Sequence, residues 1–357
     1  LWLGTTTRGL NHVSKEDGRV TRYARNAGPG RRLTHDQINK VYRDKSGNLW
    51  VGTGDGVNIM RSGSNQFYRF CDREPRVSCV SFNGQQVNDI IEDSGGNIWF
   101  AASNGWHIYN PEEGEISSRQ SIYNGAEALA LQDVYCLLED HRGWIWVGSS
   151  VGLIKYLPEE DKYEVFQAGI LNQSSNINNN TVLSLLLDSE RQLWVGTASG
   201  LNRYDQESNS FAYVSDPLEL AELRIYGMQE DGKGDLWLSS DRGLSRYDPE
   251  TEFFIQYGSS DGLQNYEYLH GSSYQDKEGR LYFGGISGLN MFHPDSIHYN
   301  THKPRLSFTH YVKRREQGGN SPPIFLDRVS AIKVEPGVQI ITIHFSALEF
   351  TAPERNQ

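Results

Sequence analysis

One segment recurs seven times along the chain: LWLGTTTRGL, LWVGTGDGVN, IWFAASNGWH, IWVGSSVGLI, LWVGTASGLN, LWLSSDRGLS and LYFGGISGLN. Its aromatic stands at Trp2, Trp50, Trp99, Trp146, Trp194, Trp237 and Tyr282, at intervals of 43 to 49 residues. A period of that size fits one four-stranded propeller blade, so the repeat predicts an all-β, seven-bladed β-propeller built from antiparallel blades.

The interior of a repeat supports this. From Ile225 to Tyr257 the chain reads IYGMQED, a Gly-containing turn, DLWLSS, a second Gly turn, LSRYD, PETE and FFIQY, four short strands bounded by turn residues. The first strand of a repeat, as in Val134 to Glu139 and Val182 to Leu187, is almost continuously apolar, the mark of a strand covered on both faces. A glycine recurs in the second turn at Gly56, Gly105, Gly152, Gly200, Gly243 and Gly288, where a tight connection favours a left-handed backbone. The chain opens on the second strand of its first blade, and its last blade shows no outer strand. Residues before Leu1 are expected to supply both and clasp the ring.

The repeat stops after about Ser296. Strand-like runs follow at Leu306 to Val312 and Val338 to Phe345, separated by a Gly/Pro-rich segment. The expected organisation is therefore a propeller over 1–297 and the N-terminal part of a second, β-rich domain over 298–357.

No run approaches the ~20 apolar residues of a membrane-spanning helix, and no signal peptide is visible at the start. With 34 Lys and Arg against 45 Asp and Glu, the net charge is −11, which opposes general attraction to phosphate backbones and argues against nucleic acid as a partner. Of three cysteines, Cys71 and Cys79 flank one irregular segment and could pair in an oxidising compartment, whereas Cys136 lies in an apolar strand pattern and reads as core.

Antiparallel geometry assigns the working face. The turns between second and third strands and the links between blades emerge on one face, and the short, uniform turns such as DKSGN and DPETE emerge on the other. The links differ in length and character, as in RNAGPGRRLTHD and GSSDGLQNYEYL, and long irregular loops on a rigid scaffold commonly carry binding. Candidate ligand-binding residues on that face are Arg8, Arg31, Arg32, Trp106, Arg242, Tyr266, Tyr268 and His270, with His35 nearby in the first link. Rings stack on sugar faces and guanidinium groups grip carboxylate or sulfate, so such a mouth suits a carbohydrate or an anionic ligand. The bland reading of any one of them is an ordinary solvated loop residue.

Motifs that resemble catalysis fail on context. Gly148-Ser149-Ser150-Val151-Gly152 matches G-x-S-x-G, but that chemistry needs a strand-to-helix turn and here a strand follows. Asp231-Gly232-Lys233-Gly234-Asp235 has spaced oxygens without the distal Glu of a calcium loop, and reads as a hairpin turn. No nucleophile, base and oxyanion site assemble from the sequence, so no catalytic residue, metal or cofactor is expected.

The GNLWVGT and GLNRYD segments, repeated in register over roughly Leu1 to Ile297, resemble the two-component regulator propeller repeat of bacterial sensor regions. The segment DGLQNYEYLHGSSYQDKEGRLYFGGISGLNMFHPDSI resembles that family's last blade, and IITIHFSALEFTAPERNQ resembles the opening strands of its three-tyrosine, immunoglobulin-like β-sandwich domain. The resemblance implies the periplasmic sensor region of a hybrid histidine kinase or related receptor. It further implies recognition of polysaccharide fragments or another small ligand, a homodimer in the intact receptor, and a membrane helix and cytoplasmic output module outside this chain. Two positions depart from the pattern: AASNGWH in the third repeat, and Leu187, which stands where other first strands end in a polar residue. The alternatives are a propeller lyase or lactonase, which would need His35 and His270 to converge with acidic groups on a divalent ion, and a protein-interaction scaffold with a broad apolar patch.

Overall fold

A computed structural model describes all residues except 73, 75, 78–81, 83, 125–126, 170–175, 215–222, 298–304, 316–320, 327–331, 333, 335 and 349–357. It divides into two compact units, Leu1–Ser296 and Ile297–Gln357.

The first unit is a seven-bladed β-propeller. Its second blade shows the plan: inner strand Ile38–Arg43, then Leu49–Thr53, Gly56–Met60 and outer strand Tyr68–Arg69, each antiparallel to the one before. Four further blades have four strands, with inner strands Val87–Glu92, Val134–Glu139, Val182–Leu187 and Gly227–Glu230. The first blade (Trp2–Gly4, Leu10–Val13, Val20–Tyr23) and the last (Tyr268–Gln275, Leu281–Gly285, Gly288–Phe292) have three each among the described residues. Neighbouring inner strands lie side by side around the ring, and that of the last blade lies beside that of the second. The link into the fourth blade carries its own hairpin, Ser121–Asn124 with Glu127–Ala130.

The recurring tryptophan is the keystone of each joint between blades. Trp50, Trp99, Trp146, Trp194 and Trp237 are 1–2% exposed. Six residues before each stands an aspartate whose Oδ2 accepts the indole N–H: Asp44, Asp93, Asp140, Asp188 and Asp231, at 2.7–2.9 Å. In the last blade the Tyr282 hydroxyl donates to Asp276 at 2.9 Å in the same way. The other oxygen closes the first hairpin turn, as Asp93 Oδ1 accepts the Asn97 amide at 2.8 Å. One side chain therefore satisfies both the turn and the ring that the turn would otherwise strand in an apolar core.

Blade-to-blade spacing is set by a small residue two places after the aromatic. A β-carbon on Gly148 would lie 2.8 Å from Val182 Cγ1 of the next blade and would also strike Cys136 Sγ; one on Gly196 would lie 2.8 Å from Ile225 Cγ2. Gly148→Ala is expected to lower unfolding free energy by about 1–2 kcal/mol through overpacking, measured by urea denaturation. An unchanged midpoint would show that the joint has slack.

The second unit is a three-stranded antiparallel sheet in the order Ile324–Phe325, Arg305–Arg315, Val338–Leu348. Both long strands cover the runs read from the sequence.

Candidate functional site

Main-chain hydrogen bonds tie the second turn of a blade to the link that enters it. Gly54 donates to the Gln37 carbonyl (3.0 Å), Ser103 to Gln86 (2.9 Å), Ser150 to Asp133 (3.1 Å) and Ala198 to Thr181 (2.9 Å). Turns and links thus share one face.

Each inner strand of blades two to five begins with a one-residue bulge, at Asn39, Asn88, Tyr135 and Leu183. The first two are latches: Asn39 Nδ2 donates to the Val87 carbonyl at 3.0 Å and Asn88 Nδ2 to that of Val134 at 2.8 Å. In the next two blades the latch moves one residue on, to Cys136 Sγ on the Val182 carbonyl (4.0 Å) and Ser184 Oγ on that of Ile225 (2.8 Å). Tyr135 and Leu183 are thereby released from latching, and the last blade meets them. Its inner strand has a longer bulge, with residues 269–272 interposed between the Tyr268–Gly285 and Ser273–Phe283 pairs. From it His270 Nε2 donates to the Leu183 carbonyl at 2.6 Å, with its ring 5.6 Å edge-on from Tyr135. A side chain of the seventh blade therefore reaches the fourth and fifth across the ring axis. Burial pushes the His270 pKa down, the Leu183 bond working against it, so the imidazole is neutral.

Beneath it Lys40 Nζ pairs with Asp89 Oδ1 at 2.7 Å, while Asp89 Oδ2 accepts the Leu137 amide at 2.9 Å, joining blades two, three and four. Burial alone would depress the Lys40 pKa, but Asp89 beside it prevails and raises it. Burial, and then Asp89, push the Cys136 thiol well up, so it stays protonated and is a poor nucleophile. The axial groups hold the ring together, and this cluster was not anticipated from the sequence. Its signal was present in the polar second and third residues of INKVYR and VNDIIE, which break the apolar inner-strand pattern.

The candidate residues fall into three sets. Arg8, Arg31 and Arg32 are exposed around the first blade and its outgoing link, where the Arg8 carbonyl accepts Arg22 Nε at 2.7 Å and Arg32 bridges Ala24. Arg242 and Tyr266 are exposed between the sixth and seventh blades; the Arg242 carbonyl accepts Gln256 Nε2 at 3.0 Å, and the Tyr266 hydroxyl accepts from Ser259 Oγ at 2.8 Å. The third set is not presented for binding. Tyr268 is 2% exposed with its hydroxyl on Asn290 Oδ1 (2.8 Å), and its pKa is pushed up to about 12 by burial. His270 is the axial strut just described.

Trp106 requires correction as a loop-face contact: at 1% exposure it belongs to the core between the third and fourth blades, packed towards Tyr156. It occupies the inward position that Leu153, Leu201 and Leu244 hold elsewhere, directly opposite Ala101.

The Ser149 hydroxyl donates to the Gly152 carbonyl at 2.8 Å in a hairpin turn, and Asp231 is committed to Trp237. His35 Nδ1 accepts the Gln37 amide at 3.0 Å. Among the described residues no three His, Cys, Asp or Glu side chains are grouped to hold a metal. Cys71 is disulfide-bonded and Cys136 is a free buried thiol. Cys79, the partner considered for Cys71, lies outside the described residues.

The first unit is thus a seven-bladed propeller with a strut across its axis and with exposed arginines and a tyrosine on its loop-rich face. The family model described as "Two component regulator propeller" matches residues 32–55, 81–104, 128–150 and 176–199, which span the inner and second strands of blades two to five. The chain carries two component regulator propeller repeats. Among solved structures it is similar to the extracellular domain of a hybrid two component system from B. thetaiotaomicron, at 21% identity and TM-score 0.68, covering 92% of this chain and 42% of that one. A second B. thetaiotaomicron extracellular domain gives 20% identity and TM-score 0.65, over 89% and 41%. A virginiamycin B lyase from Staphylococcus aureus gives 13% identity and TM-score 0.55, over 81% and 96%. At these identities the likeness concerns the fold, and the chain spans less than half the length of the two extracellular domains. Among curated proteins nothing matches the chain.

Proposed function

We propose that the chain is the ligand-sensing part of the periplasmic region of a transmembrane receptor of the hybrid two-component type. Its loop-rich face recognises a carbohydrate or another small extracellular ligand, and binding is relayed to a cytoplasmic output module. The observation that carries this reading is the regulator repeat running in register through consecutive blades. The likeness to the extracellular domain of a hybrid two component system supports it. The disulfide at Cys71 supports an oxidising compartment. Among the described residues no helix is long and apolar enough to cross a membrane, and in this reading membrane attachment lies in segments outside the chain. The intact receptor acts as a homodimer, and the second unit is the start of an immunoglobulin-like sandwich of the three-tyrosine kind. In this reading the region senses rather than catalyses, and its axial histidine and thiol serve the structure.

A thermal-shift screen against neutral, acidic and sulfated oligosaccharides tests the reading. A saturable rise in Tm is expected, with Arg242→Ala or Tyr266→Ala weakening affinity ~10-fold, about 1.4 kcal/mol. Both side chains are exposed, so their loss reports on binding; Trp106→Ala would report on the core. Binding unaffected by either substitution would remove the face assignment.

A further inference from the structure

Positive charge is concentrated in one place of an acidic chain. Residues 1–35 carry seven Lys and Arg against two Asp and Glu, whereas the whole chain carries 34 against 45. Five of the seven, Arg8, Arg22, Arg25, Arg31 and Arg32, are exposed, and among the described residues no ion pair involves any of them.

The first blade gathers these five on the loop-rich face from three segments that lie side by side. The turn holding Arg8 abuts the end of the outer strand: a β-carbon on Gly9 would lie 3.1 Å from Ala24 Cα. Arg22, within that strand, donates from Nε to the Arg8 carbonyl at 2.7 Å. The outgoing link then returns along Ala24. The Ala24 amide donates to the Arg31 carbonyl at 3.1 Å and the Leu33 amide to the Ala24 carbonyl at 3.2 Å, which sets Arg32 beside Ala24 as in a parallel sheet. Arg25 is fixed through its main-chain amide, which donates to Asp36 Oδ1 at 2.8 Å. Neighbouring extended segments stand ~4.8 Å apart, so three of them fall within about 10 Å, roughly a Debye length. The fields of the five guanidinium groups therefore add, and this edge attracts anions although the chain as a whole repels them. Asp36 is the carboxylate at its margin. Glu16 and Asp17 stand in the turn at the other end of the strands, where Asp17 faces Arg19 at 3.7 Å.

Guanidinium groups hold sulfate and carboxylate through paired hydrogen bonds. The step from one segment to the next is roughly the length of a hexose unit, so charges on successive sugars of one chain meet successive arginines. A membrane surface would call for apolar side chains beside the arginines. Among the described residues the exposed large hydrophobic of this blade is Val20, at the end of the outer strand remote from this face.

We infer that the first blade is a docking surface for a linear acidic polysaccharide bearing a sulfate or carboxylate on successive sugars. The inference rests on the reading of the loop-rich face as carbohydrate-binding, and deepens it through side chains other than Arg242 and Tyr266.

Fluorescently labelled heparin and polygalacturonate, with labelled dextran as the uncharged control, are titrated with the full chain between about 50 and 200 mM NaCl and followed by anisotropy. Saturable binding of a polyanion and not of dextran is expected: of heparin if sulfate is the group recognised, of polygalacturonate if carboxylate. With five contacts to a flexible polyanion, log Kd rises with log salt at a slope of about 3.5. Arg31→Ala/Arg32→Ala should weaken binding ~10-fold and reduce the slope by about 1.4. Lys15→Ala/Arg19→Ala removes the same charge from the turn on the opposite face and should leave the slope unchanged. All four side chains are exposed, so Tm stays that of the wild type. Equal losses in the two double variants would reduce the effect to net charge and overturn the surface. So would absence of binding by both polyanions, or binding to phosphatidylglycerol vesicles in their place. If the polyanions bind while the oligosaccharide screen shows no Tm rise, the surface stands and the site at Arg242 and Tyr266 falls; the converse result strikes the surface alone.

Discussion

Replacing Asp93 with alanine is expected to lower the free energy of unfolding by about 3 kcal/mol, the cost of leaving buried donors without a charged acceptor. Asp93 accepts the Asn97 amide at 2.8 Å, the Asn97 side-chain amide at 2.9 Å and the Trp99 indole N–H at 2.7 Å. Trp99 is 2% exposed, so its N–H cannot turn to water when the carboxylate goes. Trp99→Phe removes the donor and part of the ring together. If the Asp93–Trp99 bond is the main term, the double substitution costs clearly less than the two single ones combined. Urea denaturation of the four proteins measures this cycle. An Asp93→Ala loss under ~1 kcal/mol, or strict additivity, would reduce the latch to a turn preference.

This bond marks where the sequence was legible. The aromatic period fixed blade number, and the two turn classes fixed which ends of the strands share a face, because both depend only on strand direction and spacing. The D-x5-W spacing was equally visible, but its meaning required knowing that the first hairpin folds the aspartate back over the ring. The candidate residues fared unevenly for a related reason. Arg242 and Tyr266 stand in turn and link positions, where exposure follows from topology. Trp106 stands one residue after the turn glycine, where the strand has already turned inward, and a departure from Leu there signals repacking against Ala101. His270 could be placed near the axis, but not across it. The signal was the length of its strand, eight residues against six in most other inner strands, whose surplus becomes the bulge that carries the imidazole to Leu183.

Between neutral pH and pH ~4 the protein should lose about 3 kcal/mol of stability through His107 alone. This side chain is fully buried, with its ring 4.9 Å from that of Phe82. Nε2 faces Asn104 Oδ1 at 3.0 Å, which can only accept, so the proton sits on Nε2. Nδ1 then accepts from the Ser118 hydroxyl at 2.6 Å. Both nitrogens are satisfied in the neutral ring, and burial lowers the pKa to about 4. The unfolded chain takes up this proton near pH ~6.5 while the folded chain refuses it until about pH ~4, so stability falls as pH drops through that window and is unchanged by this group above it. Burial also lowers the pKa of His270, which adds to the slope in the same direction. Urea unfolding of wild type and His107→Gln at pH ~7 and ~4.5 separates the contributions. The glutamine variant is less stable at neutral pH but loses about 2–3 kcal/mol less on acidification. Equal losses in the two proteins would mean that His107 is protonated in the folded state, and that the carbonyl of Asn104 and the hydroxyl of Ser118 stabilise an imidazolium in the core.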